Sequence, residues 1–197
     1  VSRATLGLDT ATHQGSVALA LGGTSVASAP IPPGGHSSGL SAAAETLLAA
    51  RGLGIPDLGG ISVAGGPGSF TGLRVGLAWA KGIAAARSIP LALVPSHEAM
   101  ARWARRRAAA IATVLPGERG HVQVAFWEGG DEARLLFGPV SVPEGEAVSV
   151  LGERSDGRPG ERPGVLVAGL PDALTAALGR AGFPLLPGGP VAEAVAE

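Results

Sequence analysis

The chain has 197 residues, 46% of them hydrophobic, and a net charge of −1. That length fits one domain or two small lobes with enough apolar residues to build a core. It contains no cysteine, which excludes disulfides, thiolate metal sites and cysteine nucleophiles and removes any positive sign of secretion. No apolar run approaches the roughly 20 residues that span a bilayer, and RATLGLDT at the start has no signal-peptide layout. A soluble, cytoplasmic protein is expected.

Glycine and proline, 32 and 16 residues, punctuate apolar runs rather than forming a repeat, so the chain reads as folded with many tight turns. The exception is the polar stretch Gly152–Pro163 (GERSDGRPGERP), which reads as a loop. Charge is uneven. Residues 1–96 hold Arg3, Arg51, Arg74, Lys81 and Arg87 against Asp9, Glu45 and Asp57. A surface that poor in charge is often covered by another protein.

In chain order, alternation predicts strands at Thr5–Asp9, Ser16–Leu21 and Thr24–Ala29, whose short turns demand an antiparallel meander. A helix follows over Ser38–Ala50, with Leu40, Ala44, Leu47 and Leu48 on one face. Then come a strand at Gly60–Ala64, a glycine-rich loop, a helix at Thr71–Arg87, a strand at Leu91–Val94 and a helix at Ser96–Arg107. The second half starts again, with strands at Ala109–Leu115, His121–Trp127 and, weakly, Ala133–Phe137. After the polar insert stand the apolar run Gly164–Gly169 and a helix over Pro171–Ala181. The pattern is an α/β internal duplication, with lobes at 1–96 and 97–197.

Two loops are candidates for phosphate. The first is AGGPGSFTG, residues 64–72. It is not a Walker A loop, because Lys81 lies well inside the following helix, nor a Rossmann fingerprint, because its glycines are spaced G-x-G-x3-G after an antiparallel meander. Ser69 or Thr71 can cap the helix and leave backbone N–H groups for an anion. Equally, Gly66 and Gly68 can serve tight turning and close packing. The second loop, DTAT, puts Asp9, Thr10 and Thr12 at the end of the first strand, facing a phosphate or capping their own turn.

LGLDTAT, HSSGL, AGGPGSFTGLRVGLAWAKGIA and IPLALVPSHEAMA resemble the TsaB (YeaZ) family, over roughly residues 3–104. Members of that family serve in making threonylcarbamoyladenosine beside the anticodon of tRNA. The resemblance implies an actin/hexokinase/Hsp70-like (ASKHA) fold with two lobes of βββαβα, in agreement with the meander. It implies a noncatalytic scaffold or activator that pairs with the catalytic relative TsaD, is joined by the ATPase TsaE, forms a homodimer when alone and meets tRNA through the complex. No membrane partner, metal or cofactor of its own is implied, beyond weak ATP or ADP binding at the partner joint through Asp9, Thr10, Thr12, Gly66, Gly68 and Ser69. The catalytic relative carries an H-x3-H metal pair, whereas here His36 is followed at that spacing by Leu40. Ala11 replaces the glycine of the D-x-G-[ST] turn in nucleotide-binding members, and Pro116 and Gln123 stand where family members carry a DARxxEVY motif. The alternative is a self-sufficient ATP-binding transferase or ATPase. A peptidase has only an old family label behind it: PGSFTG lacks the G-x-S-x-G of a serine nucleophile.

Binding should then show on the helices. Gly72, Gly76, Ala80 and Ala84 recur every four residues as a smooth stripe flanked by Leu73, Leu77 and Trp79, suited to close helix approach. Such faces pack on their own sheet or on a partner. The resemblance implies a partner, over Leu40, Ala44, Leu47, Leu48, Gly72, Leu73, Gly76, Leu77 and Ala80. The run Arg102, Arg105, Arg106 and Arg107 suits a helix C-terminus or RNA phosphates, and the net charge of −1 favours the first.

Overall fold

The computed structural model describes residues 4–32, 38–153, 163–167, 170, 172–186 and 191–196. The chain forms two compact units, Val1–Ala99 with Pro190–Glu197, and Met100–Gly189. The last segment thus returns to the first unit, which the linear pattern of the sequence does not reveal.

The first unit is a five-stranded sheet in the order β3-β2-β1-β4-β5. Its strands are β1 (Ala4–Asp9), β2 (Ser16–Leu21), β3 (Thr24–Pro30), β4 (Leu58–Ala64) and β5 (Leu91–Val94). The first three form the antiparallel meander, and β4 and β5 add in parallel on the other side of β1. Gly22 and Gly23 close the β2–β3 turn with φ of 62° and 81°, as a two-residue hairpin of that hand requires. Strand alternation sends Leu6, Leu8, Val17, Leu19, Ile61 and Val63 to one face, where they join residues of α1 (Ser38–Ala49) and α2 (Phe70–Arg87). The opposite face presents Ala18 and Ala20 to Ala192 and Ala196 of α6 (Val191–Ala196). Gly7 also lies there, and a Cβ on it would stand 2.6 Å from that of Ala196. Small residues on both sides let α6 sit close on the sheet.

The second unit repeats the scheme. Its strands β6 (Ala110–Pro116), β7 (His121–Glu128), β8 (Arg134–Pro143) and β9 (Gly164–Val167) take the order β8-β7-β6-β9. The pairings are again antiparallel, antiparallel and parallel. Val114, Val124, Phe126 and Val165 pack with Leu151 of α4 (Ala147–Glu153) and with Leu174 and Leu178 of α5 (Asp172–Arg180). A further helix, α3 (Ser96–Ala104), lies on the chain between the two sheets.

Besides that returning segment and the unexpected helix α4, the structure departs from the sequence expectation at several boundaries. The helix expected to reach Arg107 ends at Ala104, and Arg105–Arg107 form a turn closed by Arg107 N–H on the Ala104 carbonyl at 2.7 Å. The weak strand at 133–137 runs on to Pro143 past an irregularity opposite Val124–Phe126. Within the expected loop Gly152–Pro163, Gly152 and Glu153 close α4, and residues 154–162 lie outside the described residues. No described helix is long and apolar enough to cross a membrane.

Candidate functional site

At the carboxyl end of β1 the chain turns back through Thr10–Gly15, and Asp9 is buried at the pivot. Its Oδ1 accepts the N–H groups of Ala11 at 2.9 Å and Thr12 at 3.2 Å, and its Oδ2 accepts the Thr12 hydroxyl. Burial raises the Asp9 carboxyl above the usual carboxylate range, partly offset by the bonds from Thr12 and Ala11. Three of the roughly four lone-pair positions of a carboxylate are therefore used within the turn. Thr10 is fully buried beside it, and its Oγ1 has no hydrogen-bond partner among the described residues.

The glycine-rich loop leaves β4 and lies directly against this turn. Ser69 N–H donates to the Ala11 carbonyl at 2.8 Å. A Cβ on Gly68 would stand 2.8 Å from that of Ala11, so the missing side chain is what permits the crossing. Gly66 takes φ 99°, a conformation side chains disfavour, and its carbonyl accepts Ser96 N–H at 2.8 Å. Ser69 caps α2, its hydroxyl accepting Gly72 N–H at 3.2 Å. Side chains added at Gly72 and Gly76 would overlap the Thr10 carbonyl and hydroxyl oxygens, so the first two turns of α2 lie tight on the β1 turn.

Asp9, Thr10, Thr12, Gly66, Gly68 and Ser69 thus come together at the carboxyl ends of β1 and β4. What joins them is mutual bonding: the turn satisfies itself and then binds the loop. The sequence leaves Ser96 and His97 out of this arrangement. Both are buried after β5, and burial lowers the imidazole of His97 to about 4, so it is neutral at ordinary pH. Histidine spacing alone gives no sign of this, because the signal is tertiary burial. His36, of the absent metal pair, lies outside the described residues.

The expected partner face needs correction. Leu40, Ala44, Leu47 and Leu48 are all buried, as is Ala80, and all belong to the core of their own sheet. Burying each leucine contributes about 1.5–3 kcal/mol, a gain already used within the unit. Gly72, Gly76, Ala80 and Ala84 are the buried face of α2, and the glycines meet Thr10 rather than another helix. Trp79 bridges the two helices through its Nε1–H, which donates to the Ser41 hydroxyl at 2.7 Å.

Leu73 and Leu77 remain half-buried, beside two side chains that sequence reasoning missed. Phe70 is 66% exposed and Leu93 59% exposed. A Cβ on Gly65 would lie 3.4 Å from that of Leu93, and one on Gly66 3.3 Å from Leu73 Cδ1, so these glycines connect β5 to α2. Arg74 lies over the Phe70 ring at 3.7 Å. Leu73 and Leu93 thus border the same loop, and Phe70 and Leu77 flank Leu73 one turn either way on its face of α2.

The meander with a parallel addition, repeated in two units, and the crossed turn and loop at the strand ends define an actin/hexokinase-like (ASKHA) fold. A family model described as TsaD, tRNA N6-adenosine threonylcarbamoyltransferase, matches residues 33–153. The chain belongs to that family, and within it to the TsaB (YeaZ) proteins. It is 30% identical over 149 residues to the tRNA threonylcarbamoyladenosine biosynthesis protein TsaB of Escherichia coli, covering 71% of this chain and 64% of that one. It is 34% identical over 93 residues to TsaB of Bacillus subtilis, covering 47% of this chain and 41% of that one. The chain thus spans under two thirds of the curated relatives it matches. YeaZ from Pseudomonas aeruginosa superposes with a TM-score of 0.67 at 25% identity, over 84% of this chain and 75% of that one.

Proposed function

We propose that this chain is a noncatalytic subunit in tRNA threonylcarbamoyladenosine biosynthesis, acting by pairing with a TsaD-type transferase subunit. The observation that carries this reading is the crossing of the two loops. A phosphate would need the Ser69 N–H and room at Ala11, and the Ser69 N–H is engaged by the Ala11 carbonyl. Asp9 in turn is engaged by its own turn. On this reading the crossing serves as a rigid rim, and the surface offered to the partner is Phe70, Leu73, Leu77 and Leu93. A TsaE-type ATPase joins the complex, tRNA is met through it, and two copies of this chain pair when the transferase is absent. Any ATP or ADP is held weakly at the partner joint, with no cofactor bound by this chain alone.

One observation favours the alternative, a self-sufficient ATP-binding transferase or ATPase: Asp9, Thr12, Gly68 and Ser69 do converge at the strand ends. Co-purification with the organism's own TsaD, followed by light scattering, separates the two readings. A one-to-one complex is expected, weakened at least about tenfold by Leu93→Glu, since a charge buried at an apolar contact costs several kcal/mol. Failure to pair, together with ATP turnover by this chain alone, would overturn the proposal.

A further inference from the structure

The second unit carries a charged feature that the pairing function does not use. Over residues 102–107 the chain reads RWARRR, four guanidinium groups and no carboxylate in six residues, on a protein whose net charge is −1. The local excess has to be explained by what those side chains touch. Arg105 is used inside the unit: its Nε donates to the Asp131 carbonyl at 3.1 Å and its Nη1 to the Arg102 carbonyl at 2.5 Å. With Gly130 N–H on the Arg105 carbonyl at 2.7 Å, this fastens the end of α3 to the β7–β8 turn. Arg105 is therefore a helix-end clasp.

Arg106 and Arg107 are placed differently. The Arg106 side chain is 72% exposed, and its ion-pair partner Asp131 stands 3.9 Å away and fully exposed, a pair of little strength. Arg107 lies over the Trp103 ring at 3.8 Å, and one of its five donors goes to the Trp103 carbonyl. That guanidinium is thus held against the indole while Arg107 as a whole stays exposed. A guanidinium held on an aromatic ring beside a second, exposed one is an arrangement that can grip a phosphate bidentately and stack on a base.

We infer that Arg106 and Arg107, with Trp103 beneath, form a contact for the sugar–phosphate backbone of tRNA. The inference deepens the proposed function and rests on its tRNA reading. It assigns RNA contact to this chain directly and not to the transferase partner alone. Phosphate contacts position without reading sequence, so the contact sets the orientation of the RNA on the complex.

The test is binding of a fluorescent unmodified tRNA transcript to this chain in complex with its TsaD, by anisotropy from 50 to 200 mM salt. The wild type is compared with Arg106→Glu/Arg107→Glu and with Arg107→Lys, and Arg180→Glu in the same unit serves as a control. Loss of two phosphate contacts is expected to weaken binding by about tenfold or more and to lower the salt slope by about 2. Arg107→Lys keeps the charge and loses the flat stack, so it should fall between. Thermal melts confirm that each variant is folded. Unchanged affinity and slope in the folded double variant, with the complex intact, would overturn the inference and leave the pairing function standing. Should the complex fail to form while this chain alone still binds tRNA through these arginines, the contact holds and the pairing reading falls.

Discussion

The two units share a strand order but bury different chemistry. In the first, Asp9, Thr10, Thr12, Ser16, Ser62, Ser96 and His97 are buried. In the second, among the described residues, Thr113 is buried, with its hydroxyl bonded by Trp127 Nε1–H at 3.0 Å. At the end of β1 stands the buried Asp9 turn. At the equivalent end of β6 stands Pro116, then an exposed turn closed by Gly117 N–H on the His121 carbonyl at 2.9 Å. Buried polar groups cost free energy unless they are bonded, so the first unit accepts a cost that the second avoids. At the crossing that cost is offset by the bonds within the Asp9 turn and between it and the glycine-rich loop, while the hydroxyls of Thr10, Ser62 and Ser96 carry it.

The sharpest way to break this contrast is to force the crossing apart. Gly72→Ala and Gly76→Ala each push a methyl group into Thr10 and should each cost about 3 kcal/mol in denaturant titrations. In the same helix Gly82 faces open space, and Gly82→Ala should instead gain up to about 1 kcal/mol. A comparable gain at all three positions would mean that helix propensity, and not the crossing, governs α2.

Next in size is the buried imidazole. The folded value of His97, about 4, lies below its usual 6.5. Its contribution is therefore complete above pH 6.5 and is lost as the pH falls towards about 4. At about 1.4 kcal/mol per unit the loss reaches about 3 kcal/mol, and His97→Gln should flatten it. Asp9 acts with the opposite sign. Its folded value is raised, so its contribution is complete below the unfolded value of 3.8 and is lost as the pH rises through the raised one. Asp9→Asn should cost about 1–2 kcal/mol by weakening the turn. That deficit against the wild type should be larger in mild acid than at neutral pH. Smallest is the effect of Leu93→Glu on stability, within about 0.5 kcal/mol for an exposed site, so a loss of the proposed pairing in this variant would not come from unfolding.

Much of this architecture is legible in the sequence. The meander, its Gly22–Gly23 turn and the repetition of the meander in the second half follow from period-two alternation and turn residues. The same local reasoning draws Asp9, Thr12, Gly68 and Ser69 to one place. It fails where the answer is tertiary. The stripe Gly72, Gly76 and Ala80 has the same periodicity whether it faces a sheet or a partner, and only the position of Thr10 decides. The α6 segment is six residues of small apolar character, too short for a periodic signal, and its return to β1 and β2 has no local trace. Helix α4, AVSVLGE, alternates like a strand, and packing of Ala147 and Leu151 overrides that pattern. Phe70 and Leu93 were invisible as a patch because one sits in a helix start and the other in an edge strand.

On the proposed function the crossed loops serve a pairing subunit and not a catalyst. The most direct test is reconstituted tRNA threonylcarbamoylation with the organism's TsaD, with ATP consumption followed in parallel for this chain alone, as wild type and Asp9→Asn. Modification is expected to depend on this chain and to survive in folded Asp9→Asn, with no ATP consumed by this chain alone. ATP consumption by the isolated chain that disappears in folded Asp9→Asn would contradict it.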